Sequence, residues 1–189
     1  MSSIQRSSRK LACFSLAVVM SAASVATLAA DVMVGGAPML PTKDIIDNAV
    51  NSKDHTTLVA AVKAAGLVDT LKGSGPFTVF APTNAAFAAL PAGTIDTLLK
   101  PENKAMLTKV LTYHVVAGKW DAAAISKMIK DGGGMATIKT VSGGSLTAKS
   151  SGMGVTLTDE KGGSAKVTIA DVYQSNGVIH VVDKVLLPN

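Results

Sequence analysis

The chain has 189 residues, with 18 bases against 13 acids and one cysteine. Residues 1–30 hold three of those bases and no acid, so the remainder carries 15 lysines against 13 acids, a net charge of +2 with no arginine. A weakly charged chain without forked guanidinium donors is poorly equipped to grip phosphates or base edges, which argues against a nucleic-acid partner.

The N-terminus reads as a secretory signal peptide. "MSSIQRSSRK" is polar and basic, "LACFSLAVVM" is a short apolar stretch, and "SAASVATLAA" supplies small residues for cleavage. Cleavage after Ala29 or Ala30 fits best, with Ala26 as an alternative. The apolar stretch is too short to span a bilayer, and no later segment suggests a span. Cys13 falls inside the leader, so the exported chain has no thiol and must rely on its core rather than on disulfides. This places the protein in a periplasm or outside the cell.

After the leader, residues 31–40 contain a glycine pair and a proline and read as a short linker, with one domain over 41–189. In "TKDIIDNAVNS", Thr42 is the expected cap and Ile45, Ile46, Ala49 and Val50 recur at helical spacing. "HTTLVAAVKAAGLVDTLKG" continues as helix with Thr56 or Thr57 capping and Gly66 as a break or kink. "FTVFAP" reads as a strand ending at Pro82, followed by a helix capped by Thr83 or Asn84. Thr94 is the expected cap of a helical turn or two, Pro101 begins a further helix, and Met106, Leu107, Val110, Leu111 and His114 share one helical face. "DAAAISKMIK" is a short helix. Beyond Gly134 the period changes from helical to two, giving a run of strands, with Asn176-Gly177 as a hairpin signal. Helices first and an antiparallel meander second is the pattern of an α+β domain.

Chemistry-bearing constellations are scarce. No G-x-S-x-G elbow and no G-x-x-x-x-G-K-[ST] loop occurs, and the two glutamates, Glu102 and Glu160, sit at a helix start and in a turn. His55, His114 and His180 show no ligand spacing, so no metal or cofactor is expected. His55 reads as exposed, and His114 as a partly positive ring at a helix end. His180, within "NGVIHVVDKVLL", lies in an apolar run and reads as a hydrogen-bonded core residue; Asp183 points away from it. The chain reads as a non-enzyme.

Three blocks, in order, are similar to the motifs of the fasciclin-like (FAS1) domain family. "GPFTVFAPTNAAF" (75–87) resembles the first motif, "LTYHVVAG" (111–118) the central Tyr-His motif, and "NGVIHVVDKVLLP" the second conserved motif. The resemblance implies antiparallel strands in a wedge-like pair of sheets with helices packed at one side. It implies that Phe77, Thr78, Phe80, Pro82, Thr83, Asn84, Phe87, Asn176, Gly177, His180 and Asp183 build the frame. By the same resemblance, Tyr113, His114 and the pair Asp171-Val172 carry partner binding, with Asp-Val standing where Asp-Ile is typical. The implied function is adhesion to a cell-surface protein or matrix polymer; bridging two surfaces would need a homo-oligomer or two patches. A reading of another class, a carrier or sensor of a lipid-like small molecule, rests on the many alanines and methionines that could line an apolar pocket.

Overall fold

The computed structural model describes residues 32–91, 93–152 and 154–189, so the expected leader lies outside the described residues. The stretch expected to be a linker is instead a hairpin, β1 (Val32–Val34) paired antiparallel with β2 (Ala37–Met39). Burial explains the difference: Val34 and Met39 are both buried in the main apolar core. The Asn48 side chain holds the end of this hairpin, accepting from Leu40 N at 3.0 Å and donating to Leu40 O at 2.8 Å.

Three helices follow, α1 (Ile45–Asn51), α2 (Thr56–Ala65) and α3 (Val68–Lys72). Asp44, not Thr42, caps α1, its carboxylate accepting from Asp47 N at 2.8 Å. Gly66 adopts a left-handed conformation, φ 73°, and ends α2 so that α3 can set off in a new direction. Next come β3 (Phe77–Pro82), α4 (Asn84–Ala88), α5 (Thr94–Leu99), α6 (Lys104–Tyr113), β4 (Val115–Ala117) and α7 (Ala122–Asp131). Thr83 caps α4 and Gly93, not Thr94, precedes α5. On α6, Leu107, Val110 and Leu111 are buried as the spacing predicts, but Met106 is 57% exposed and does not share their face.

The second half supplies β5 (Met135–Lys139), β6 (Ser145–Ser151), β7 (Gly154–Thr158), β8 (Ser164–Gln174) and β9 (Gly177–Val182). They form the expected antiparallel meander, joined by β3 and β4 into a seven-stranded sheet of order β4-β3-β9-β8-β7-β6-β5. The sheet is not wholly antiparallel, because β3 runs parallel to β9, with Phe77 opposite Gly177 and Pro82 opposite Val182. Just beyond β5, Val141 N donates to Val115 O in β4 at 2.8 Å, drawing the two sheet edges toward each other.

The β3–β9 pair divides two apolar clusters. Val79, Ala81, Ile179 and Val181 join the cluster that holds α1, α2 and α6. Phe80 and Val182 point the other way, with Ile125 and Ile129 of α7 and Leu146, Leu157 and Ala165 of the meander. Alternation along a strand is what allows one pair to serve both clusters.

Gly177 makes this pairing possible, since a Cβ there would overlap the Phe77 carbonyl. Gly177→Ala is expected to lower stability by about 1–3 kcal/mol, the usual cost of overpacking, read as a fall in the urea midpoint with an unchanged slope.

Candidate functional site

Of the residues singled out by sequence, Thr78, Asp171 and His180 converge around the loop between β4 and α7 and the bulge in β8. The pairing of β8 with β9 slips twice, between Val167 and Ile169 and again between Ile169 and Val172. Asp171 sits in the second slip with φ 58°, a left-handed conformation that Asp tolerates better than most residues. Its Oδ1 accepts from Ala122 N at 2.7 Å, at the start of α7. Asp121, the local cap, accepts from Ala124 N at 2.7 Å. Two carboxylates thus meet the free N–H groups at one helix end, where the dipole favours negative charge.

His180 completes the arrangement. Asp171 N donates to its Nδ1 at 3.3 Å, so Nδ1 carries a lone pair and Nε2–H donates to Trp120 O at 2.7 Å. The ring stacks on Phe80, with centroids 5.6 Å apart. Burial lowers its pKa, opposed by the Trp120 carbonyl and by Asp171 and Asp121. Thr78, on the parallel neighbour, donates to Gly118 O at 2.7 Å and accepts from Trp120 N at 2.9 Å. Two buried polar side chains from β3 and β9 therefore hold the loop that leads into α7. His180 is buried, with a partner at each ring nitrogen. Asp183 is exposed and accepts from Lys166 N at 2.7 Å, away from His180.

Tyr113 and His114 are placed differently from the partner surface implied by the family motif. Their exposures are 0% and 2%, because α6 delivers both into the interior. Tyr113 OH donates to Ser145 O at 2.8 Å and accepts from Glu160 N at 3.2 Å, tying α6 to the meander. Leu186 N donates to His114 Nε2 at 3.0 Å, so Nδ1–H donates to Val110 O at 2.8 Å. Burial pushes the His114 pKa down to about 4, against raising effects of the Val110 carbonyl and Asp159, so the ring is neutral rather than partly positive. Val172 is buried as well, at 1%. Of the four residues, Asp171 alone reaches solvent, beside Tyr173, which is 41% exposed and lies under the Lys119 ammonium at 4.8 Å from the ring centre.

The asparagines of the two flanking motifs cap helices from a distance. Asn84 Oδ1 accepts from Thr57 N at 3.0 Å and its Nδ2 donates to Lys53 O at 2.8 Å, so neither Thr56 nor Thr57 is the cap of α2. Asn176 Oδ1 accepts from Ile45 N at 3.1 Å while its Nδ2 donates to Leu71 O at 2.7 Å, joining α1, α3 and the β8–β9 turn. Phe80, Pro82 and Phe87 are buried and Phe77 and Thr83 half-buried. His55, expected at the surface, is 3% exposed, and burial lowers its pKa. Neither its burial nor the remote capping has a local signal, since both depend on residues far along the chain. Among the described residues no group of three or more His, Cys, Asp or Glu side chains could hold a metal.

Two outcomes follow from these bonds. Tyr113→Phe leaves Ser145 O and Glu160 N without their shared partner, and is expected to cost about 1–2 kcal/mol in urea denaturation. For His114 the folded pKa, about 4, lies below the ordinary 6.5, so the unfolded chain binds more protons between those values. Its contribution is therefore full above pH 6.5 and is lost as pH falls toward 4, to a total on the order of 3 kcal/mol. His55 and His180 act in the same direction. Urea midpoints should fall steadily across that window, and ring nitrogen shifts should show His114 neutral at pH 5.5.

The fold and motifs have counterparts. A Fasciclin domain family model matches residues 53–188. The chain is 51% identical over 144 residues to Protein sll1483 of Synechocystis sp., covering 76% of this chain and 73% of that protein. It is 36% identical over 165 residues to the cell surface glycolipoprotein MPB83 of Mycobacterium bovis, covering 87% and 64% respectively. A FAS1 domain pair from the insect cell adhesion molecule Fasciclin I has the same fold, with a TM-score of 0.68 at 17% identity, over 77% of this chain and 51% of that one. With the three motifs interlocked around one parallel strand pair and the family model matching most of the chain, this protein belongs to the fasciclin domain family.

Proposed function

We propose that the chain is an exported, non-catalytic adhesion module that binds a cell-surface protein or a matrix polymer. The leader-like N-terminus supports export, and the name of the MPB83 relative supports action at a cell surface. Among the described residues no helix is long and apolar enough to cross a membrane.

The observation that carries the reading is the surface beside Asp171. Every buried polar group around it is spent on holding the β4–α7 loop and the β8 bulge in place. What reaches solvent includes Asp171, the Tyr173 ring and Lys119. An aromatic ring on a rigid frame loses little conformational entropy when it binds, which suits a recognition surface. Tyr113, His114 and Val172 then serve binding indirectly, by fixing the frame. One such patch per chain bridges two surfaces only if the chain self-associates or a second patch exists.

Deleting the gene in its host is expected to reduce surface attachment, and added protein should restore it. Tyr173→Ala should restore attachment at least several-fold less well while its circular dichroism and urea midpoint match the parent. Full rescue by that variant would remove the patch from the function, and unchanged attachment on deletion would remove adhesion itself.

A further inference from the structure

The helical cluster encloses a cavity of about 40 Å³. That is several times the roughly 10–15 Å³ one water needs, and less than the ~150 Å³ of an apolar cavity that takes benzene. Its wall is apolar: Val34 and Met39 of the β1–β2 hairpin, Val62 of α2, Leu111 of α6, and Val172 and Ile179 of the sheet. His114 also lines it, but both of its ring nitrogens are engaged.

His55 is different. It lines the cavity at 3% exposure, and its Nε2 has no hydrogen-bond partner. Nδ1 lies 2.9 Å from Ser52 Oγ. Among the described residues Ser52 Oγ has no other hydrogen-bond partner, so its proton goes to Nδ1 and leaves Nε2–H as a donor. The Ala81 carbonyl is near enough to favour the charged ring but is not placed to accept that hydrogen. A buried donor without an acceptor is costly, and native interiors rarely tolerate one.

We propose that this cavity is a binding site for a very small neutral molecule, one or two carbons and one acceptor oxygen, a short alcohol or aldehyde. The oxygen accepts from His55 Nε2 and the carbons meet the valine, leucine and isoleucine walls. A carboxylate or an ammonium is excluded, because the cavity offers no charged partner and an apolar wall penalises a buried charge. The β1–β2 hairpin, a two-stranded ribbon outside the main sheet, contributes Val34 and Met39 to the cavity wall. The site is separate from the Asp171 surface and does not depend on the adhesion reading.

The test is a titration of the full exported chain with ethanol, followed by NMR of the side-chain methyls and of the His55 ring. Saturable shifts at Val34, Val62 and Leu111, with the Nε2 proton moving along the same binding curve, are the expected result. His55→Leu should weaken binding about tenfold, the loss of one buried hydrogen bond. The wild-type ring signal makes the outcome independent of whether that variant folds. Shifts that do not saturate, methyl shifts without movement of the Nε2 proton, or a persistent water contact at Nε2 unaffected by the alcohol would each overturn the proposal.

Discussion

The parallel pairing of β3 with β9 sets two strands, distant in sequence, side by side in the middle of the sheet, with side chains buried on both faces. All six residues of β9 are buried. A wall of this kind has no solvent side on which to place polar groups, so each one it contains must find a protein partner. Thr78 and His180 do so by reaching the same loop, one on Gly118 and Trp120, the other on Trp120 and Asp171. The course of the backbone from β4 into α7 is thus a consequence of polar residues in the wall. Replacing either with an apolar residue would leave that loop held by the other alone.

Helix ends obey the same constraint. α1 and α2 are short, and each leaves N–H groups unpaired at its start. Asn176 and Asn84 meet those groups from the β8–β9 turn and from the start of α4, and Asp171 does the same for α7 from the sheet. The first and last motifs, and Asp171 ahead of the last, therefore each stabilise a helix that lies elsewhere in the chain. This is why three blocks with modest local signals belong together: each contains a side chain whose partner is in another part of the fold.

That interdependence also marks the limit of what could be read from sequence. The strands β5 to β9 and the helices α2, α6 and α7 were legible because their apolar residues recur at one clear period, and the Asn176-Gly177 turn because few residues suit it. The parallel β3–β9 pairing has no local sign, since alternation in "FTVFAP" is equally compatible with either direction. The β1–β2 hairpin was missed because Pro38 and strands of three residues weigh against a sheet, although the Gly35-Gly36 pair between "VMV" and "APM" was an available turn signal. His55 reads as exposed because it precedes a helix beside Asp54, while its burial comes from the hairpin and from Asn84, neither adjacent in sequence. Of the site, Asp171 was visible only through the family motif. Tyr173 and Lys119 had no motif to announce them.

The burial of the Tyr-His pair separates two ideas that a motif tends to merge. A motif can persist because a partner touches it or because the fold cannot do without it, and for Tyr113 and His114 the second account suffices: every polar atom of both side chains is satisfied inside the chain. Neutral imidazoles suit this task. Each ring offers one donor and one acceptor at a fixed separation, so it can join a backbone N–H to a backbone C=O without adding a buried charge. His114 joins Leu186 to Val110 in this way, and His180 joins Asp171 to Trp120. Protonating either ring turns its acceptor into a second donor facing an N–H, so the same bonds that specify the fold at neutral pH oppose it in acid. The surface is then free to vary in composition without disturbing the frame, and recognition in such a domain belongs to the residues that the frame holds outward.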